Sequence, residues 1–272
     1  MTRIKRFTRG QRWFHLLLIL SFIIQASSGL ARMYIMTDWG RNLADIFGGY
    51  DRALTIHWWV GLFMLALLGV HTTYVLLRIS WRHFPKNIYG PDSLLPRLED
   101  FNQAFQHVGW MLGISKLPHF DRWGYWEKFD YFAVFWGILL LGGTGIILFN
   151  PVFFTRLMPG RAINILLWVH RIEAVLAITH VSVIHFFIGH LRRHNFPMDL
   201  VMFEGSVSME KLRHERPAWM ERLEKTGDLT REVTSDAPTA LRAVYYGFGF
   251  TIMICLLYLC FNALMHVGYI IG

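Results

Sequence analysis

Charge is scarce in this chain. Only 17% of its 272 residues are Asp, Glu, Lys or Arg, where a soluble domain carries about a quarter. Cysteine is nearly absent. Cys255 and Cys260 share one apolar run, which supports neither a disulfide framework nor a Cys-based zinc or iron–sulfur site. No C-x-x-C-H motif occurs, so covalent attachment of a c-type haem is not expected. Internal repeats and low-complexity stretches are missing too. What the chain has in quantity is apolar: 54% hydrophobic and 16% aromatic residues, gathered in long blocks. That is the composition of a membrane protein.

Five runs reach the roughly 20 residues that a bilayer core requires. They are Trp13 to Met33, Leu54 to Leu77, Phe129 to Phe149, Ile163 to Leu191 and Val244 to Ile270. The expected class is therefore an all-α integral membrane protein. Its architecture would be a four-helix bundle with a fifth helix at the C-terminal end. Residues 1–191 would form the bundle with a cytoplasmic loop over 80–128. Residues 192–240 would form a cytoplasmic connection, and residues 241–272 the fifth helix. The formal charge of +8 follows topology rather than nucleic acid. Of the 27 Lys and Arg residues, 21 fall on one side of the spans and 5 on the other. The side richer in these residues is cytoplasmic, which puts the N-terminus inside and the C-terminus outside. Arg171 is the one that falls within a span. The basic start before an apolar run resembles a secretory signal, with Ala26-Ser27-Ser28 as its cleavage site. The apolar run continues past that site, so the segment is read as a span.

The connections differ in character. The first is short and holds Gly48-Gly49. The second contains an amphipathic candidate helix, about Ser93 to Leu112, with Pro85, Pro91, Pro96 and Pro118 as breakers. It either lies on the cytoplasmic membrane surface or forms a soluble cap. The fourth is polar, with one exposed helix expected near Met209 to Glu224.

Histidine placement carries the most chemical information. His57 and His71 are fourteen residues apart in the second span, and His170 and His185 are fifteen apart in the fourth. Either spacing separates two rings by roughly 21 Å along a helix axis. It returns them to nearly one face, within about 40–60°. Two such helices side by side would offer one histidine pair near each membrane surface. Each pair could hold the iron of one haem through two axial imidazoles. His15 opens the first span at the cytoplasmic side, so His71 and His15 compete as partners of His185. A lone intramembrane histidine is otherwise a satisfied polar residue or a proton relay. Zinc would need three or four ligands at one depth. Gly61, Gly69, Gly137, Gly142, Gly143 and Gly145 either admit a haem or serve helix packing.

His180 and His190 sit five residues either side of His185. On an α-helix that turns each by about 140°, off the ligand face. His83, His107, His119, His194 and His214 fall in connections and are expected to be solvated. His266 has no evident role. Arg52 and Arg171 are candidates for haem propionates, or Arg171 pairs with Glu173. Glu173 is also a candidate acceptor for the Nδ1–H of a ligating imidazole. The segment Tyr125-Trp126-Glu127-Lys128-Phe129-Asp130-Tyr131 offers Glu127, Lys128 and Tyr131 either as quinone-binding groups or as an interfacial belt.

At these residues the chain resembles the di-haem cytochrome b subunits of membrane formate dehydrogenases and [NiFe] hydrogenases. The resemblance covers about Arg9 to Trp219. It rests on Arg12-Trp13-Phe14-His15, Ser28-Gly29, Ile56-His57-Trp58-Trp59-Val60-Gly61 and Gly142-Gly143-Thr144-Gly145. It continues with Val169-His170-Arg171-Ile172-Glu173-Ala174 and Ile184-His185-Phe186-Phe187. The Tyr125-Trp126-Glu127-Lys128 run and Phe196-Pro197-Met198 look more like a branch found with multihaem cytochromes c.

The resemblance implies two b haems in a bacterial inner-membrane protein, or three if His15 and His71 both ligate. It implies electron transfer between a periplasmic iron–sulfur or multihaem cytochrome c subunit and membrane quinone, menaquinone or ubiquinone, within a hetero-oligomeric complex. His57 and His170 would hold the outer haem, and His15 with His185 the inner one. The chain departs from the pattern in having His71 and a fifth span. Rival readings are a stand-alone quinol-linked reductase and a proton-coupled transporter.

Overall fold

Each apolar run forms one long helix. In the computed structural model, which describes residues 2–85 and 88–271, the helices are α1 (Arg9–Met33), α2 (Asp38–Ile46), α3 (Tyr50–Arg78), α4 (Leu98–Met111), α5 (Tyr125–Phe149) and α6 (Gly160–Leu191), followed by α7 (Met209–Glu215), α8 (Pro217–Thr226) and α9 (Thr239–Met265). Helices α1, α3, α5, α6 and α9 are long and apolar enough to cross a membrane. The expected all-α class is the one the chain adopts.

Boundaries differ from the hydropathy reading for local reasons. The five long helices start three to five residues before their apolar runs, because backbone hydrogen bonding continues into polar sequence. Helix α9 ends at Met265 instead of Ile270, and a turn at His266–Val267 precedes a last short helical stretch. Residue 272 lies outside the described residues. Helix α4 starts after Pro96, where the Asp100 carboxylate accepts the Arg97 backbone N–H at 2.6 Å. The single helix expected over 209–224 is two helices, since Pro217 lacks the N–H that would continue α7 and instead opens α8.

The chain forms two compact units. One comprises Trp13–Thr72, Phe135–Asp199 and the chain from Val244. It holds most of the five long helices. Small residues let α1 pack closely: Ser21, Ala26, Ser28 and Ala31 are buried. A cluster of Met64, Leu68 and Ile138, flanked by Leu18, Phe22, Leu65 and Phe135, joins α1, α3 and α5. At Gly142 a methyl group would overlap the Leu65 side chain, so glycine sets how closely α5 approaches α3.

Helix α9 is tied to the bundle by polar contacts at two levels of one face, seven residues apart. The Ser182 hydroxyl donates to the Leu256 carbonyl at 3.2 Å, and the Tyr34 hydroxyl to the Ala263 carbonyl at 2.8 Å. His266, which had no role in the sequence reading, stacks on Trp39 with centroids 5.4 Å apart. Its Nδ1 reaches the Asn262 carbonyl at 2.8 Å, in the last turn of α9. Tyr34→Phe is expected to cost about 1 kcal/mol, because it leaves a buried helix-end carbonyl without its donor. A fall of a few degrees in the unfolding midpoint of the detergent-solubilised protein would register this.

The other unit comprises the N-terminal residues up to Arg12, Thr73–Val134 and Leu200–Ala243. It contains a small antiparallel sheet that the sequence reading did not anticipate, with Arg3–Lys5 between Ser206–Ser208 and Val233–Thr234. Strands of two or three residues carry no readable alternation. Ile4 seats the sheet in a core of Val207, Leu212, Trp219, Met220 and Leu223. Around it runs an ion-pair web of Asp92 and Asp121 with Arg122 and Arg222. Burial alone would raise the Asp92 pKa, but the bonds and charges of Arg222 and Arg122 hold it below the ordinary carboxylate range. The web therefore stabilises the unit above the unfolded carboxylate value, and that contribution is lost as pH falls through the lowered folded value.

Candidate functional site

Four of the five candidate histidines meet in two pairs. His57 on α3 and His170 on α6 have ring centroids 6.3 Å apart. His15 on α1 and His185 on α6 have centroids 6.4 Å apart. A metal ion held trans between two imidazoles, about 2 Å from each ligating nitrogen, sets the centroids about 6.4 Å apart. Both pairs have nearly this ring separation, so either could hold one metal ion between its two rings. His71 is placed differently: it stacks on Phe14 with centroids 4.6 Å apart. The geometry thus brings His15, and not His71, to His185.

The His57–His170 pair is prepared further by hydroxyl groups. Ser28 donates its hydroxyl proton to the Ile24 carbonyl at 2.7 Å, one turn back on its own helix. Its oxygen then faces His57 Nδ1 at 3.1 Å as an acceptor. Thr144 repeats the device, donating to the Leu140 carbonyl at 2.7 Å and facing His170 Nδ1 at 2.8 Å. A hydroxyl has one proton, and here a carbonyl takes it. With the hydroxyl proton on the carbonyl, each oxygen can accept from an imidazole Nδ1–H, the tautomer that would leave the Nε2 lone pair available to a metal. At His57 that lone pair faces the Gln25 side-chain nitrogen at 3.3 Å. The Gln25 amide oxygen is buried without a hydrogen-bond partner.

Glycines make room for the rings. A methyl group on Gly29 would lie 2.9 Å from His57 Cε1, closer than a carbon tolerates. One on Gly145 would lie 3.6 Å from His170 Cε1, in ordinary contact. So Ser28-Gly29 on α1 and Thr144-Gly145 on α5 face opposite imidazoles: each hydroxyl meets a ring Nδ1, and at Gly29 the ring also needs the glycine, whereas at Gly145 a Cβ would fit. The sequence reading named both dipeptides as family motifs but missed these roles.

Glu173 does not take the part considered for it. Thr144 occupies the Nδ1 side of His170, while the Glu173 carboxylate points toward Gly137, 3.9 Å from where a Cβ would be. Arg52 is exposed and folds against Gly48, whose positive φ of 84° leaves the space it fills. Arg171 is half-buried beside His170. A cation the sequence reading overlooked is Arg32, in the last turn of α1. Its charge acts on both His57 and His170, and among the described residues its buried Nε has no hydrogen-bond partner.

Helix geometry overturns the placement of His190. Beyond Thr179, α6 becomes π-helical over His180–His185 and Phe187–Leu191. Hydrogen bonds now run i→i+5, so residues five apart return to one side. His190 accordingly lies beside His185, with centroids 6.1 Å apart. No cap or proline announces this change, and the 100° rule fails where it begins. Among the described residues, no group of three or more His, Cys, Asp or Glu could hold a metal ion.

The segment considered for quinone is occupied by ion pairs. Glu127 binds Arg6 at 2.7 Å and Arg216 at 2.9 Å, and accepts the Gly124 backbone N–H at 2.7 Å. Lys128 is buried and donates to both Asp100 oxygens at 2.8 Å. Tyr131 lies half-buried on α5. His107, expected to be solvated, sits among Trp110, Phe120, Tyr125 and Trp126, and its Nδ1 is 3.1 Å from the Tyr125 hydroxyl. His83, His119, His194 and His214 are exposed. The chain matches no protein-family model, and no curated protein matches it either.

Proposed function

We propose that this protein is a membrane-bound b-type cytochrome that carries electrons, of the kind found as di-haem subunits of formate dehydrogenases and [NiFe] hydrogenases. The observation that carries this reading is the spacing of the two histidine pairs, 6.3 Å and 6.4 Å between centroids. His57 and His170 would hold one haem, and His15 and His185 a second. Each bound haem supplies one-electron redox chemistry. Arg32 and Arg171 would face the propionates of the first, neutralising charge that would be costly to bury. Ser28 and Thr144 keep the Nδ1 proton of their imidazoles in place and raise the basicity of the ligating nitrogen.

The partners proposed are a periplasmic iron–sulfur or multihaem cytochrome c subunit on one side and menaquinone or ubiquinone in the membrane. The location proposed from the resemblance is a bacterial inner membrane, and the distribution of Lys and Arg favours a cytoplasmic N-terminus. With Glu127 and Lys128 engaged in ion pairs, the quinone groups named from sequence reduce to Tyr131.

The reading is tested by a dithionite-reduced minus oxidised spectrum of the purified protein, with a pyridine haemochromogen count. Two b haems per chain are expected. A colourless protein that takes up no haem would overturn the proposal and favour a transporter. Thr144→Val tests the hydroxyl device separately. It keeps the side-chain shape, removes the acceptor of the His170 Nδ1–H and makes the ligand less basic. The midpoint potential of one haem is expected to rise by about 30–60 mV, where 59 mV corresponds to tenfold for one electron. A redox titration in which both potentials stay at the unmodified values would remove Thr144 from this role.

A further inference from the structure

Helix α4 presents three distinct faces. Asp100 and His107 point into protein, toward Lys128 and Tyr125. Glu99, Asn102 and Gln106 form an exposed polar edge. The third face is a stripe of Leu98, Phe101, Phe105, Val108 and Leu112, spaced 3-4-3-4 and so aligned on one side of the helix. Leu98 is 83% exposed, Phe105 77% and Leu112 69%. An apolar stripe of this size left in water is unfavourable and marks a surface that something covers.

The anchoring of α4 indicates what covers it. The buried Lys128–Asp100 pair and the packing of His107 on Trp126, with centroids 5.7 Å apart, fix α4 to the first turn of α5. Helix α5 is one of the membrane-crossing candidates, so its first turn marks the edge of the apolar layer. The same first turns carry Phe129, 58% exposed, and Phe132, 38% exposed. Helix α4 is thus held at the depth where spans begin, with no Lys or Arg of its own and a wide apolar face. A helix with one polar edge and one apolar face suits the boundary between headgroups and acyl chains.

We propose that α4 lies in the membrane interface and that lipid covers the stripe from Leu98 to Leu112. The contact rests the second connection on the bilayer and holds the start of α5 at a fixed depth. It holds whatever the histidine pairs bind.

The test uses the full chain, reconstituted alone into phosphatidylcholine–phosphatidylglycerol vesicles, with Cys255→Ala and Cys260→Ala removing the native thiols. Single cysteines are introduced by Phe101→Cys, Phe105→Cys and Leu112→Cys on the stripe, and by Glu99→Cys and Asn102→Cys on the polar edge. Each receives a nitroxide. Collision with apolar oxygen is compared with collision with a water-soluble nickel chelate. Oxygen is expected to be favoured several-fold at all three stripe positions, and nickel at both polar ones. Nickel access at Phe101 and Phe105 equal to that at Asn102 would overturn the proposal and leave the stripe for a protein partner. Exclusion of both probes from the stripe would also overturn it, in favour of a second copy of the chain. Three independent stripe positions keep the result readable if one variant fails to fold.

Discussion

On the proposed assignment of two haems per chain, removing His15 is expected to lower the haem content to one, while removing His71 leaves it at two. Spacing along the sequence favours His71 as the partner of His185, and the family resemblance favours His15. In the structure His15 faces His185 at 6.4 Å, and the His71 ring lies flat on Phe14 at 4.6 Å. His71 packs on Phe14 and is not one of the two rings of either histidine pair, so its removal is not expected to cost a haem. His185→Ala should match His15→Ala, since each leaves one imidazole facing an empty axial position. His57→Ala should remove the other haem and spare this one, because its pair shares neither ligand. The readout is the pyridine haemochromogen count of each purified variant, with potentiometry to identify the remaining haem. Loss of a haem in His71→Ala with retention in His15→Ala would reverse the assignment. A count of three in the unmodified protein, with one lost in each variant, would mean that both are ligands.

Lys128→Met is expected to destabilise the protein by about 3–5 kcal/mol, the cost of leaving a buried charge without its partner. Lys128 and Asp100 are nearly inaccessible, and the ammonium reaches both carboxylate oxygens at 2.8 Å. With Lys128 gone, the Asp100 carboxylate keeps only the Arg97 backbone N–H. It must then stay charged in an apolar setting or take up a proton. The double variant Lys128→Met/Asp100→Asn keeps an acceptor for that N–H and buries no charge, so it should recover most of the loss. Denaturation of the three proteins in one detergent compares them directly. A single variant within about 0.5 kcal/mol of the unmodified protein would mean that water reaches the pair. Because the pair fixes α4 to α5, the same variant should also loosen the second connection, seen as faster proteolysis between Ser80 and Lys128.

The sequence by itself determined the class and the inventory. Apolar runs longer than a bilayer core leave few alternatives to membrane helices, because every backbone polar group in lipid must be bonded within the segment. The same runs carried His15, His57, His170 and His185 at depths that suit two pairs. Hydroxyl-glycine dipeptides at Ser28-Gly29 and Thr144-Gly145 were visible as well. Their repetition on the two helices opposite the histidines was the signal that could have revealed their task.

Only the tertiary structure decided which groups meet. Spacing along one helix says nothing of the rotation of its neighbour, so the spacing that favoured His71 gave way to His15 once α1 was packed against α6. The π-helical end of α6 moved His190 beside His185 by changing the turn angle, on which the sequence rule depended. Glu127 and Lys128 looked available because ion pairs with Arg6, Arg216 and Asp100 join residues 28 to 121 positions apart. Charge state and exposure depend on such distant partners. A residue's chemistry is written in its side chain, but its role is set by whatever the fold places within a few ångströms.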